Sequence, residues 1–370
     1  MNVMHGGDVS QDVEQRSQDY RQSGLAGVLR HWLASGVCQS PSGAFYAWRD
    51  AETGAPSFEY PEITGYALTH FAGRAVPMVK EMTAGSRAAD WLVTRLTAQD
   101  LSARASWDAS AIYNFDLAMI ATGLLLFGRR TGVGRYTAQG LSLVRSLQQD
   151  LHGENGLSAI SVSHPVPSGR STWSTEGQAH LLKVVQCFLV ADTFGLLGAD
   201  SSAALLIEQR KELQRDNGRF VTHPSDRETM LHPHLYAVEG LWMWGTARND
   251  TDAIARARKG LEWAWGQQLQ TGGFPRSVSS SGAEDDLIEQ SDVTSQAIRM
   301  ALVLNPALPG IDAALTQLRQ TAVRDGEGAA LVYQPSAPQA HQNVWVTLFG
   351  AQALDMAEAG ARMLDWQRLV

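Results

Sequence analysis

The sequence is poor in cysteine and in positive charge, and both shortages limit what it can encode. Its 370 residues include only Cys38 and Cys187, too few for a disulfide framework or a structural zinc cluster. The 30 Lys+Arg are outnumbered by 38 Asp+Glu, and the resulting net charge of −8 disfavours a broad surface for nucleic acid or anionic lipid. The motifs of phosphate loops, dinucleotide folds, nucleophile elbows and HExxH metal sites are also missing. We therefore expect no nucleic-acid partner, no cofactor and no metal.

Long hydrophobic runs are absent as well. No window approaches 18 uninterrupted apolar residues, and the opening MNVMHGGDVSQDVEQRSQDY lacks the basic start and apolar core of a signal peptide. We therefore expect no membrane insertion and a cytoplasmic location. A composition that is 44% hydrophobic and 18% charged is instead typical of a well-packed globular protein. We expect a flexible N-terminal segment over residues 1–21 and a single domain over residues 22–370.

The sequence does contain an internal repeat. Six nearly all-apolar helical segments recur about every 56 residues, and six amphipathic segments alternate with them. The apolar segments begin near Glu62, Tyr113, Glu176, His234, Asp292 and Asn343. The amphipathic segments lie near 24–35, 81–96, 133–151, 202–213, 252–269 and 311–323. This alternation predicts an all-α fold, an (α/α)6 toroid with six buried inner helices and six outer helices.

The connections between these helices are of two kinds. Links from inner to outer helices are short, whereas links from outer to inner helices are long and contain a glycine and a strand-like piece. Long loops in a compact domain are usually functional. Because every long link precedes the start of an inner helix, we expect short β segments and the functional site at that face, which we call the mouth of the toroid.

The residue types that open the inner helices are those that a sugar site uses. Aromatic rings can pack on the CH faces of sugars, carboxylates and amides can bind hydroxyls, and glycoside cleavage commonly uses two carboxyl groups. Removal of a proton from a ring carbon instead needs a base such as His or Tyr. The candidate catalytic residues are Glu62, Asp116, Glu176 and Asp292, with Tyr66 and His234 as bases. The candidate substrate-binding residues are Tyr60, Trp107, Tyr113, Trp173, Tyr236, Glu239, Gln290, His341, Asn343 and Trp345.

Helix capping offers an alternative interpretation for several of these residues. Glu62 follows Pro61 at a helix start, and Thr175 to Gln178 matches a capping box. Asp116 is the most informative carboxylate, because it lies about one turn inside an otherwise apolar helix, where burial of a charge is costly.

Three segments, YPEITGY, QLQTGGFPR and QSDVTSQAIRMAL, carry a resemblance to known proteins. Over most of residues 22–358 the chain resembles six-hairpin (α/α)6 proteins encoded with polysaccharide-biosynthesis enzymes and, more distantly, the helical domain of glucuronyl C5-epimerases. The resemblance implies a carbohydrate-active toroid. The residues of this chain that correspond to the pattern of those proteins are Tyr60, Glu62, Tyr66, Gln290 and Asp292. The segment HPHLYAVEGLW is also similar to N-acylglucosamine 2-epimerases, whose base is a histidine at the mouth.

These observations favour a carbohydrate-active enzyme with a saccharide substrate. Glycoside hydrolysis by a pair of mouth carboxylates is the leading hypothesis. A sugar epimerase or polysaccharide lyase with a Tyr or His base is the first alternative. The second is a non-catalytic glycan-binding or scaffold protein in a polysaccharide-synthesis assembly.

Overall fold

The computed structural model describes residues 24–98, 111–154, 156–161, 171–280, 287–337, 341–359 and 365–370. These residues fold mainly into helices, joined by short strands and 3-10 turns. The helices are α1 (24–34), α2 (Pro61–Ala72), α3 (Val79–Thr97), α4 (Asn114–Thr131), α5 (Gly134–His152), α6 (Trp173–Glu176), α7 (Val185–Asp192), α8 (Ala199–Arg210), α9 (Leu231–Arg248), α10 (Thr251–Trp265), α11 (Ser291–Leu304), α12 (Ile311–Gln320) and α13 (Val344–Ala359).

The inner helices form a closed ring. Helix α2 packs against α4, α4 against α7, α7 against α9, α9 against α11 and α11 against α13, and α13 returns to α2. Each of α3, α5, α8, α10 and α12 packs outside the inner helix that precedes it. Helix α1 lies beside α13, where Arg30 is paired with Asp355. The structure therefore confirms the predicted (α/α)6 toroid.

The two layers differ in the way that the sequence pattern predicts. In inner helix α4 every residue from Asn114 to Gly128 is buried, whereas outer helix α5 buries one face only. Helices α2 and α4 also approach closely at two glycines. A Cβ atom on Gly123 would lie 2.2 Å from the carbonyl oxygen of Gly65, so this contact requires glycine.

The third inner segment departs from the predicted helix. The structure has the single turn α6, then a 3-10 helix over Ala179–Val184, and only then α7. Gly177, between α6 and the 3-10 helix, has extended backbone, and a Cβ atom there would lie 2.3 Å from the carbonyl oxygen of Thr222. Because a 3-10 helix has about three residues per turn, His180 and Lys183 lie on the same side. That side faces the axis of the toroid.

Short strands lie at the mouth, as predicted. They are β1 (Trp48–Asp50), β2 (Glu228–Met230), β3 (Ser277–Ser279), β4 (Ala322–Asp325), β5 (Gly328–Val332) and β6 (His341–Asn343). An antiparallel sheet has the order β1-β6-β5-β4, and β2 pairs with β3. Strand β6 runs directly into α13, so the sheet borders the start of that inner helix. Within the described part of the chain, none of the helices has the length and apolar character needed to cross a bilayer.

Candidate active site at the mouth of the toroid

A buried imidazole and a buried carboxylate meet at the mouth. His232 lies in the first turn of α9 and Asp292 in the first turn of α11. His232 Nδ1 is 3.1 Å from Asp292 Oδ2, and the two side chains are only 5% and 1% exposed. The contact is not an aligned hydrogen bond, and His232 Nε2 and Asp292 Oδ1 also have no protein partner. The carboxylate lies close enough to hold the imidazole in one orientation, and the remaining polar atoms of both side chains are left for a ligand.

Aromatic rings surround His232. Its ring centroid is 5.8 Å from that of Trp173, 4.3 Å from that of Tyr236 and 5.0 Å from that of Trp345. Below it, the Tyr66 hydroxyl donates to the Tyr236 hydroxyl at 3.1 Å. Burial raises the pKa of both tyrosines well above the ordinary value, so both phenols remain protonated at neutral pH. The site therefore combines one imidazole with a pair of protonated phenols.

A cavity of about 370 Å³ opens beside this cluster, a size typical of small-molecule sites. Trp345 contributes to the wall of the cavity and also contacts His232, so it separates the two. On another wall the rings of Trp48 and His341 stack at a centroid distance of 4.9 Å and an angle of 7°. The lining residues are Ala47, Trp48, Tyr60, Tyr333, Gln334, His341, Asn343 and Trp345.

Deeper in the axis lies a cluster of paired charges. Lys183 Nζ donates to Glu239 Oε2 at 2.6 Å, and Arg299 Nη2 donates to Glu239 Oε1 at 2.7 Å. Lys183 also donates to the main-chain oxygen of Val370 at 2.9 Å. Burial lowers the pKa of Lys183 to about 8, although Glu239 acts in the opposite direction. We call Lys183, Glu239 and Arg299 the axial charge cluster. Glu239 was predicted from the sequence to bind substrate. In the structure each of its carboxylate oxygens accepts a hydrogen bond from one of the two cations.

The structure brings many of the predicted residues together at the mouth. Glu62 and Asp116 are buried in the first turns of α2 and α4, and Glu62 acts electrostatically on Tyr66, Tyr236 and Lys183. Trp107 lies outside the described residues. Twelve of the predicted residues lie at the mouth or on the half of the toroid axis next to it, which we call the upper half. They are Tyr60, Glu62, Tyr66, Tyr113, Asp116, Trp173, Tyr236, Gln290, Asp292, His341, Asn343 and Trp345.

The structure places His234, predicted as a base, on the side of α9 that faces away from the axis. Its Nδ1 accepts from the Phe220 amide at 3.1 Å, and its Nε2 donates to the carbonyl oxygen of Gly260 at 2.9 Å. The ring faces outer helix α10 and packs on Trp263, and burial lowers its pKa to about 4. Both nitrogens are therefore committed to main-chain partners. Residues two apart on a helix point to opposite sides, so His232 faces the axis instead.

Glu176 also lies away from the cluster. Its side chain is 46% exposed at the rim, where Ser171 Oγ donates to it at 2.9 Å and His223 Nε2 lies at 3.4 Å. The early end of α6 at this residue removes Glu176 from the inner layer.

Sequence reasoning missed His232 as a site residue, together with His180, Lys183 and Arg299. A signal for His232 was present, because His232, Tyr236 and Glu239 have the spacing i, i+4, i+7 of one helix face. Tyr236 and Glu239 were both selected, so helical periodicity favours His232 over His234. Lys183 and Arg299 have no comparable signal, since each is a single basic residue within an apolar segment. Among the described residues, no group of three or more His, Cys, Asp or Glu side chains is arranged to hold a metal ion.

Comparison with known proteins supports the fold at low sequence identity. No protein-family model matches the sequence, and no curated protein matches it. A sugar epimerase from a ruminal bacterium superposes with a TM-score of 0.72 at 11% identity, covering 95% of this chain and 100% of that protein. A D-mannose isomerase superposes with a TM-score of 0.71 at 11% identity, covering 96% of this chain and 100% of that protein.

An unsaturated glucuronyl hydrolase from Bacillus sp. GL1, which degrades glycosaminoglycan, superposes with a TM-score of 0.66 at 11% identity. The match covers 91% of this chain and 96% of that hydrolase. These similarities show that the chain has the (α/α)6 toroid fold of several sugar epimerases, isomerases and glucuronyl hydrolases.

Proposed function

We propose that this protein is a carbohydrate-active enzyme that moves a proton at a sugar ring carbon, as a sugar epimerase or isomerase does. The observation that carries the proposal is the buried contact between His232 and Asp292, next to an aromatic-walled cavity. A histidine oriented by a carboxylate is suited to general acid–base catalysis. The fold shared with a sugar epimerase and a D-mannose isomerase is consistent with this chemistry.

In this mechanism the sugar presents a carbon next to a carbonyl group. His232 Nε2 accepts the proton from that carbon, the electron pair of the broken C–H bond moves to the carbonyl oxygen, and the Asp292 carboxylate stabilises the imidazolium that forms. A second group must then supply a proton to the substrate. The hydrogen-bonded phenols of Tyr66 and Tyr236 are protonated and lie directly below His232, so we assign this role to them. The aromatic faces of Trp48 and Trp345 and the amide of Asn343 would hold the sugar in the cavity. Because Trp345 lies between the cavity and His232, its ring would turn aside when the sugar binds, so that the sugar carbon reaches Nε2.

The test is proton exchange with solvent. The purified protein is incubated with neutral, amino and uronic sugars in deuterated water, and the products are analysed by mass spectrometry and NMR. We expect a gain of one mass unit at a ring carbon, without cleavage. His232→Asn should reduce this exchange by about 10²–10⁴-fold, which is the usual contribution of a general base. The matched control His234→Asn should retain exchange in the molecules that fold. Exchange that persists in His232→Asn would refute the assignment of the base.

Glycoside hydrolysis is the second candidate. It is supported by three buried carboxylates, Glu62, Asp116 and Asp292, each in the first turn of an inner helix at the mouth. Hydrolysis by a carboxyl pair would shorten an oligosaccharide with addition of water. In that case Glu62→Gln and Asp116→Asn would abolish activity, whereas His232→Asn would preserve most of it. Binding of a glycan without turnover of any kind would instead support a non-catalytic glycan-binding protein.

A further inference from the structure

A second cavity lies at the opposite end of the toroid from the mouth. It has a volume of about 430 Å³ and lies between the C-terminal ends of α2 and α13 and the 3-10 turn Trp366–Arg368. We call it the far-end cavity. Inner helices begin at the mouth and end at this face, so the axial charge cluster lies between the far-end cavity and His232.

One wall of the far-end cavity contains a buried histidine with an unsatisfied nitrogen. His70, in the last turn of α2, lines the cavity and is only 6% exposed, and its Nε2 has no hydrogen-bond partner. Burial, reinforced by the nearby charges of Arg74 and Arg30, lowers the pKa of His70 to about 3. The imidazole is therefore neutral. A polar atom that is buried without a partner is rare in folded proteins, and a hydroxyl group of a bound ligand would satisfy this one.

The charges around the far-end cavity balance. Arg74 and Arg368 line it as cations, and Asp355 and Glu358 line it as anions. Arg74 Nη1 donates to Asp355 Oδ2 at 3.2 Å, so part of this charge is neutralised within the wall. The C-terminal ends of α2 and α13 add a weak negative field, which disfavours an anionic ligand. A cationic ligand would meet the two guanidinium groups. A neutral molecule with several hydroxyls can instead donate to the carboxylates and accept from the guanidinium groups.

We propose that the far-end cavity binds a neutral polyhydroxylated ligand, a carbohydrate of mono- to disaccharide size, separately from the site at the mouth. Its volume falls within the range of small-molecule sites. The ligand hydroxyls would contact His70 Nε2, the Glu358 carboxylate and the Arg368 guanidinium. This proposal is independent of the reaction proposed for His232, because it concerns binding alone.

Hydrogen exchange detected by mass spectrometry can locate this binding. D-Glucose and cellobiose serve as probes, and each is added to the full-length protein. We expect slower exchange in peptides that cover residues 68–75 and 352–359. Ala359 lines the cavity and is exposed, so Ala359→Trp should fill the space and weaken probe binding by about tenfold or more. The matched control is Thr246→Trp, at an exposed position in the last turn of α9, and it should leave the protection unchanged.

Two further variants separate the far-end cavity from the mouth and guard against misfolding. Arg368→Met removes a guanidinium group on the surface and should also weaken the protection. Trp48→Ala removes an aromatic wall of the mouth cavity and should leave the protection at residues 68–75 and 352–359 intact. The proposal fails if neither probe protects these peptides. It also fails if Ala359→Trp and Arg368→Met both leave the protection unchanged, or if Trp48→Ala abolishes it.

Discussion

Polar side chains are buried in both halves of the toroid axis, the upper half next to the mouth and the lower half beyond it. The two halves differ in the hydrogen bonds that these side chains make. In the lower half, Lys183 and Arg299 donate to opposite oxygens of Glu239. In the upper half, His232 and Asp292 are equally buried, yet their nitrogen and oxygen atoms have no aligned hydrogen bonds. Each buried polar group without a partner costs about 1–3 kcal/mol, and a ligand that supplied the missing hydrogen bonds would remove this cost. Burial alone therefore does not distinguish a functional group from a structural one. The contrast lies in the two carboxylates, because both oxygens of Glu239 accept hydrogen bonds and neither oxygen of Asp292 does.

The largest effect is expected from Glu239→Gln. This change removes the carboxylate that pairs with both Lys183 and Arg299, and loss of one partner from a buried ion pair typically costs about 3–5 kcal/mol. Urea-induced unfolding of the wild type and the variant measures the difference in the free energy of unfolding. The corresponding change at the mouth, Asp292→Asn, should cost much less. Equal losses in the two variants would contradict the distinction between the halves of the axis.

The second effect concerns acid stability and His234. Its folded pKa is about 4, below the ordinary value of 6.5, so the unfolded chain takes up a proton between these values and the folded chain does not. The stability of the folded state therefore falls as the pH falls through this window. The contribution of His234 between pH 7 and pH 5 is about 2 kcal/mol. The free energy of unfolding should consequently fall less steeply in His234→Asn than in the wild type, and equal slopes would exclude this role.

The third effect compares the two histidines of α9 at constant pH. His234→Asn removes hydrogen bonds to the Phe220 amide and the Gly260 carbonyl, so it should lower the free energy of unfolding by about 1–2 kcal/mol. His232→Asn removes a ring without aligned hydrogen bonds and should change stability less, while it should reduce the proposed proton exchange by about 10²–10⁴-fold. Thermal unfolding and the deuterium assay, applied to both variants, measure this contrast. A larger loss of stability in His232→Asn than in His234→Asn would contradict the assignment of the structural role to His234 and the reacting role to His232.

The architecture of this chain could be predicted from its sequence, because apolar and amphipathic helical segments alternate in it at a regular spacing. The start of α11 was expected near Asp292 and lies at Ser291, and the outer helix expected over 133–151 spans Gly134–His152. The third inner segment was misjudged because one helix was expected from Glu176 through the apolar residues that follow His180. A Cβ atom on Gly177 would meet the carbonyl oxygen of the distant Thr222, and a close approach of that kind has no local signature.

The site was predicted less completely, for a related reason. Residue type and position at a helix start identified Asp292, Tyr66 and Trp345, because the mouth is defined by where the inner helices begin. Which side of each helix faces the axis depends on the rotation of that helix in the ring. This rotation can be predicted from the sequence only where several polar residues lie on one face of the helix. Lys183 and Arg299 are each the only Lys or Arg of their helix, so the sequence gives no indication that they pair with Glu239.

The smallest effect on stability and activity is expected from Glu176→Gln. Glu176 and Asp292 were both predicted from the sequence to be catalytic carboxylates. Glu176 and Asp292 both open predicted inner helices, but the Glu176 side chain is half exposed and is hydrogen-bonded by Ser171 at the rim. A change at such a surface site usually alters stability by less than about 0.5 kcal/mol, so Glu176→Gln should unfold almost as the wild type does. It should also keep the proposed proton exchange within about twofold, whereas Asp292→Asn should lose it, because only Asp292 can stabilise the imidazolium of His232. The deuterium assay on the two variants measures both outcomes. If Glu176→Gln lost activity as severely as Asp292→Asn, the rim would belong to the reacting centre, and the chemistry would no longer be confined to the unsatisfied groups of the upper axis.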